Sequence, residues 1–374
     1  LQAFKGYLHL IADAVSERHK ISDALFSLNE KQPVQIDNTV NILLSALAEL
    51  ATNKVLHGHV GKAFRKSRDP TKARALFANI VDTTIQLSKK VTQKRKLHEA
   101  CNQILANCLA LLPTVDLVKT AELILANPDH QVQIAVVKSI EVRAGSVTQN
   151  DHLSVSSLLA FLPRANDLLQ QSSEVEVAVH AISCMDCIIE RFGKKDVSIV
   201  TEITRTLAST QALASKHDRL RVLSLICLTS AIGVLEEEAI ALLPTVLPIA
   251  FEYLRKSIEN RNQSLHNAVF ELLSNIVQRL SFIFSREYLT TAIELSQRSA
   301  AAELNEACDK NRQQFYQIVS IHITAQEAFT AMKATWASAL GHGFKVCVLK
   351  YYCSVFANCC IGVSRATQLG IIDH

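Results

Sequence analysis

Apolar residues in this chain recur at helical spacing. Val132, Ala135, Val136 and Ile140 share one face of a helix; so do Val175, Ala178, Val179 and Ile182. Leu265, Ala268, Val269, Leu272, Leu273 and Ile276 repeat the pattern. Such stripes predict amphipathic helices with one buried side. Each follows a polar break, at Asn127-Pro128-Asp129, at Gln171 to Glu174 and at Glu259 to Asn262. A further break, Ser215 to Asp218, precedes a segment that is apolar nearly all round up to Ile232, which predicts a helix covered on two sides. Asn, Asp and Ser suit these breaks because their side-chain oxygens accept from the free N–H groups at a helix start.

The helices come in pairs. Leu111-Leu112-Pro113-Thr114-Val115 returns as Leu242-Leu243-Pro244-Thr245-Val246, with a weaker relative at Phe161-Leu162-Pro163. Each of the three is predicted to open a helix, followed by a polar break and a second apolar helix. Starts near Leu112, Leu162, Val200 and Leu243 lie about 40 to 50 residues apart, close to the HEAT and armadillo period of roughly 40–47 and longer than that of ankyrin or tetratricopeptide units. No half-unit can hide its stripe alone, so neighbours must stack. The predicted fold is all-α, a HEAT/armadillo-like α-solenoid of stacked antiparallel helix pairs. Further helices are expected at Leu8 to Leu28, Ile36 to Val55, Ala73 to Ser88 and Leu97 to Leu112. Past Leu280 they are expected at Arg286 to Ala302, Glu303 to Ile323 and Ala325 to Leu340. No linker is long enough to divide this body, so residues 1–345 read as one helical repeat region.

Composition supports that picture. The 374 residues include ten glycines and seven prolines, well below the usual share of roughly 12% for the two together, so sheets with many tight hairpins are disfavoured. The formal charge of +4 is too small to announce a nucleic-acid-binding domain and weighs against an acidic solenoid that carries basic cargo. Most of the ten cysteines sit within apolar patterns as small hydrophobes, which implies a reducing compartment without a disulfide framework. The chain opens Leu1-Gln2 with no charged segment ahead of an apolar one, so it is expected to be a fragment without a signal peptide. The apolar run Leu223 to Leu235 is too short to span a bilayer, and the tail run from Val346 to Val363 is interrupted by Lys350 and Asn358; no membrane partner is expected.

Chemistry-bearing motifs are sparse. His180, Cys184 and Cys187 share a helix face, but a zinc site needs a further ligand and an outside scaffold, so core packing is the preferred reading. His57-Gly58-His59-Val60-Gly61-Lys62 lacks the glycine spacing and the hydroxyl residue of a phosphate loop. Glu236-Glu237-Glu238 reads as a solvated helix start. No nucleophile–base pair or dinucleotide fingerprint emerges, and neither a cofactor, a metal nor a small-molecule substrate is expected.

Basic groups remain. Lys89, Lys90, Lys94, Arg95 and Lys96 crowd one helix junction. They are candidates for contact with RNA phosphates or a protein partner, and equally for a solvated helix end. Lys194 and Lys195 follow Gly193, which reads as the C-cap of the preceding helix. Arg219 and Arg221 open the helix after His217. Turns within repeats align along one edge of a solenoid, so these groups are expected to form one broken basic stripe.

Long ordered segments carry a resemblance to a known family. Leu265 to Phe270 with Leu272-Leu273-Ser274, Phe284 to Leu289 and Thr335-Trp336 are similar to stretches of the U3 small nucleolar RNA-associated protein 10 family. Leu1 to Asn29, Gly61 to Arg65, Asn107 to Pro113 and Arg191 to Lys195 resemble its fungal members. The resemblance runs to about Lys345. It implies the C-terminal portion of a very large HEAT-repeat protein of the small-subunit processome. Such a protein is nuclear and nucleolar, supports pre-ribosomal RNA transcription and 18S rRNA processing within the U3 ribonucleoprotein, and has no catalytic residues. Partners implied are other processome proteins, with U3 small nucleolar RNA and pre-rRNA contacted directly or through them. An importin-like transport solenoid and a phosphatase regulatory scaffold are the other classes such a repeat pattern admits. From Val346 to His374 the chain departs from the family, with four cysteines, Tyr351-Tyr352 and no capping pattern. That tail is expected to be intron read-through or a shifted frame.

Overall fold

A computed structural model describes residues 70–90, 95–208, 212–302 and 304–341, and every regular element among them is helical. The predicted helices at Leu8 to Leu28 and Ile36 to Val55, the His57–Lys62 segment and the tail from Val346 lie outside the described residues. The chain divides into two compact units, Leu1–Leu168 and Leu169–His374.

The first unit contains α1 (Pro70–Lys90), α2 (Arg95–Leu111), α3 (Thr114–Ile124), α4 (His130–Ser146) and most of α5 (His152–Gln171). Helix α1 packs on α2, α3 packs on α4, and α2 lies against α4. Ile104, Leu105 and Leu109 of α2 are enclosed, as are Val132, Val136, Val137 and Ile140 of α4. Burying a side chain of this kind contributes about 1.5–3 kcal/mol against exposure. Pro113 precedes α3 as its N-cap, and Asp129 accepts from the N–H groups of Gln131 and Val132 at the start of α4. Arg143 reaches back from α4. Its Nη1 donates to the carbonyl of Leu112 at 2.7 Å and its Nη2 to that of Ala110 at 2.8 Å. Those carbonyls lie at the end of α2, where no helical partner exists for them.

Phe161-Leu162-Pro163 does not open a helix. Pro163 lies inside the unbroken α5. Proline removes one backbone bond and crowds the preceding turn, at about 3 kcal/mol or more. Against this, Leu158, Phe161, Leu162 and Ala165 around it are fully buried. Burial on both sides of the proline holds the helix together.

The second unit contains α6 (Val175–Phe192), α7 (Val197–Leu207), α8 (Asp218–Leu235), α9 (Leu243–Glu259), α10 (Gln263–Glu287), α11 (Leu289–Ala301), α12 (Glu306–His322) and α13 (Ala325–Gly341). Helices α6, α8, α10 and α12 stack in that order as one layer, and α9, α11 and α13 stack as a second. Helix α7 packs on α8 and α9 on α10. This alternation is the predicted solenoid arrangement. Helix α8, apolar nearly all round in sequence, is covered by α6 and α10 within its layer and by α7 behind it. Helix α10 is long and apolar enough to cross a membrane, but its apolar side is packed between α8 and α12.

Three local departures have physical causes. Gly193 ends α6 at φ −53°, a right-handed conformation, and begins a 3-10 turn rather than a left-handed cap. A Cβ there would stand 3.1 and 3.2 Å from the methyls of Val234, so the glycine permits close approach of α8. Glu236 has φ +51° and starts a 3-10 segment, Glu236–Leu242, rather than an α-helix. Leu280 (φ −131°, ψ 39°) breaks α10, and beyond it Phe284 is fully buried and stands 6.5 Å, edge to face, from Phe315 of α12.

Candidate functional site

The stacking of α6, α8, α10 and α12 creates two edges in the second unit. One gathers helix starts. Arg219 of α8 donates to Glu176 of α6 at 2.7 Å, and Asn262, the N-cap of α10, donates to Asp218 at 3.0 Å. The other gathers helix ends. Lys194, just past α6, lies 3.6 Å from Glu236, just past α8, and Arg279 of α10 lies 3.3 Å from the same carboxylate oxygen. Helix α6 has 18 residues, so the edges are about 27 Å apart at 1.5 Å per residue.

The predicted single basic stripe is therefore corrected for this unit. Lys194 and Lys195 stand on the edge of helix ends, Arg219 and Arg221 on the edge of helix starts. The sequence expectation placed all turns together; parallel stacking sends the two ends of each helix to opposite sides.

The candidates also differ in engagement. Arg221 is only 21% exposed; its Nη1 pairs with Asp218 at 2.8 Å and its Nε donates to the carbonyl of Ser215 at 2.5 Å. Its guanidinium lies 5.1 Å from the ring centroid of Tyr253, whose hydroxyl donates to the carbonyl of Leu213. This arginine braces the turn before α8. Arg219 and Lys194 are ion-paired but more than half exposed, and Lys195 is exposed. In the first unit, Lys89 is exposed near the end of α1. Arg95 at the start of α2 pairs with Glu99 at 2.8 Å, which raises its pKa. Lys90 and Lys96 belong to α1 and α2 respectively, and Lys94 lies outside the described residues.

Cys184 is fully buried in α6, Cys187 is half-buried, and His180 stands 4.0 Å from Glu176. Among the described residues no three His, Cys, Asp or Glu side chains gather as a metal site would require. Burial pushes the thiols of Cys101 and Cys108 up to about 12, which suppresses the reactive thiolate.

Sequence reasoning missed a polar network inside α10, α11 and α12. His266, fully buried, has its Nε2 2.6 Å from Ser299 Oγ and its ring 4.7 Å from Phe270. Arg312, 3% exposed, donates to Ser299 Oγ at 3.2 Å and to Asp309 at 2.5 Å. With Arg312 donating to Ser299, the serine hydroxyl is free to donate to a neutral His266. Burial pushes His266 down to about 4. The signal available in sequence was an arginine in the apolar stripe Cys308, Phe315, Val319 of α12.

Stacked helix pairs, with polar ladders on both edges of the second unit, define a HEAT-like α-solenoid. An engineered protein whose crystal structure came from the Northeast Structural Genomics Consortium shares this fold at TM-score 0.52 and 12% identity, over 96% of this chain and 92% of that one. No family model matches the chain. Curated relatives do. One from Phaeosphaeria nodorum, named U3 small nucleolar RNA-associated protein 10, is 56% identical over 345 residues, 92% of this chain. One of the same name from Neurospora crassa is 31% identical over 351 residues. The chain belongs to the U3 small nucleolar RNA-associated protein 10 family and spans about a fifth of the length of these relatives.

Proposed function

We propose that the chain is a non-catalytic scaffold segment of the small-subunit processome, the C-terminal portion of a nucleolar HEAT-repeat protein that supports pre-rRNA transcription and 18S rRNA processing. The observation that carries this reading is the 56% identity over 345 residues to a protein named as U3 small nucleolar RNA-associated. Stacked amphipathic pairs also suit it, because each pair adds surface for partners at little cost in core design. Partners are other processome proteins, with U3 small nucleolar RNA and pre-rRNA touched directly or through them. Lys89, Lys90, Lys94, Arg95 and Lys96 form the proposed contact group in the first unit; Lys194 with Lys195, and the exposed Arg219, form smaller ones in the second. Arg221 contributes by bracing its turn.

Affinity purification of the tagged protein, read by mass spectrometry and by hybridisation for U3 RNA, tests this. Recovery of U3 particles is expected. Recovery of transport cargo with Ran, or of a phosphatase catalytic subunit, would replace the scaffold reading by another. Charge reversal across Lys89–Lys96 should reduce RNA crosslinking of this segment; unchanged crosslinking removes that group from the proposal.

A further inference from the structure

Charge is unevenly placed along the chain. Residues 62–99 hold eleven lysines and arginines against three acids, whereas the whole chain holds 39 against 35. The remainder is therefore net acidic, and the small overall charge conceals one basic region. That region takes in α1 and the start of α2.

Helix α1 sets part of it in a line. Lys72, Ala75, Asn79, Asp82, Gln86 and Lys89 follow one another at offsets of three and four, so they share one stripe of the helix. From Ala75 to Lys89 every member of the stripe is exposed, while Ile80, Val81, Thr84 and Leu87 are buried. Its polar members read cation, amide, carboxylate, amide, cation, and the two lysines stand about 26 Å apart along the axis. Helix α1 ends at Lys90, α2 starts at Arg95 and the two helices pack together, so the cations that open α2 adjoin the Lys89 end. Phe77 is the one Phe, Tyr or Trp of either helix, and by spacing it falls with the buried Val81 and Thr84. The outer stripe therefore carries no ring.

We propose that the outer stripe of α1 lies across a groove of double-helical RNA. The lysines at its two ends take phosphates on either side of the groove. The middle takes none, because Asp82 would repel a phosphate there. The minor groove of A-form RNA is wide and shallow and presents 2′-hydroxyls, each a donor and an acceptor. Asn79 and Gln86 can donate to these hydroxyls or accept from them, and Asp82 can accept. A single strand would call for cations that track its backbone without a break and for rings on which its bases stack. The stripe offers neither. An acidic protein segment would meet Asp82 as a repulsive centre. This inference rests on the reading of the basic group as an RNA contact and names the form of the RNA.

Fluorescence anisotropy of the full chain tests it, with a dye-labelled RNA duplex of about 20 base pairs, one of its strands, the DNA duplex of the same sequence and an oligo-glutamate peptide. The RNA duplex should bind about tenfold more tightly than the single strand or the DNA duplex, and oligo-glutamate should not bind. Lys72→Ala and Lys89→Ala should each weaken duplex binding and lower the slope of log affinity on log salt by about one. Lys333→Ala, which removes an exposed cation from α13, should do neither. Asn79→Ala with Gln86→Ala should remove most of the preference for RNA over DNA. Equal effects of Lys72→Ala, Lys89→Ala and Lys333→Ala would show a general charge effect and overturn the stripe. A single strand bound as tightly as the duplex overturns the groove, and tight binding of oligo-glutamate assigns the stripe to an acidic protein instead. Absence of RNA binding, with U3 particles still recovered by the tagged protein, overturns this contact and leaves the scaffold reading standing. Circular dichroism of each variant separates lost binding from lost fold.

Discussion

The α6–α8 contact and the α10–α12 contact occupy equivalent places in one layer, yet they are built differently. The first is aliphatic: α6 packs on α8, and Val177, Ala181, Ile182, Ile188 and Ile189 of the one and Leu225, Leu228, Ala231 and Ile232 of the other are all essentially sealed from water. Gly193 lets the helices close on each other at Val234. The second is aromatic and polar: Phe270, Phe284 and Phe315 surround a core that also admits His266, Ser299 and Arg312. The aliphatic contact can be remade by any side chains of fitting volume. The aromatic one depends on particular hydrogen bonds, because a buried charge whose partner is removed is strongly destabilising.

The largest expected effect that separates them is Phe315→Ala. It should cost about 3–5 kcal/mol in urea unfolding, whereas Ile182→Val in the aliphatic contact should cost about 0.5–1.5 kcal/mol. Equal losses would break the comparison.

Next comes pH. His266 falls from 6.5 when unfolded to about 4 when folded. Above the unfolded value both states are neutral and the group contributes nothing. As pH drops from 6.5 towards 4 the unfolded state takes up a proton that the folded state refuses, so stability should fall by on the order of 3 kcal/mol. Urea midpoints measured across that window should fall less steeply in His266→Gln. A parallel pair of curves would remove the histidine from the account.

Gly193→Val probes the aliphatic side by overpacking. A loss of about 1–3 kcal/mol is expected, partly restored by adding Val234→Ala. Full additivity of the two changes would mean that the close approach is not what the glycine serves. Smallest of all, Lys194→Ala and Arg219→Ala should each shift stability by no more than about 1 kcal/mol, since exposed ion pairs contribute little.

The aliphatic contact was legible in sequence because stripe and polar break are local signals. The breaks announce every one of these helix starts, although only Asp129 before α4 and Asn262 before α10 cap with a side chain, while Glu174 before α6 and His217 before α8 do not. The aromatic contact was half legible. Its apolar positions follow the helical period, but His266 and Ser299 are 33 residues apart and nothing local ties them. Pro163 misled for a related reason: proline is a strong local signal for a helix start, and here tertiary burial overrules it. Glu236 misled because three acids in a row suit a helix start, whereas its positive φ is set by the turn between α8 and α9. The two-edged distribution of cations followed from helix direction, which no single turn encodes.

Helices α6, α8, α10 and α12 all point the same way, so their peptide dipoles add. Acids stand in the first turns, Glu176, Asp218, Glu306 and Asp309. Cations stand in the last, Arg191 of α6 and Arg286 of α10, with Lys194 and Lys195 just beyond α6. Side-chain charge thus opposes the backbone's own polarity at the starts of α6, α8 and α12 and at the ends of α6 and α10, while Glu236, Glu237 and Glu238 follow the end of α8. A polyanion drifting past either rim of the second unit meets a muted field, and gains little until it touches. Whatever docks there is held by fit at short range, and its grip should loosen only gently as salt is raised.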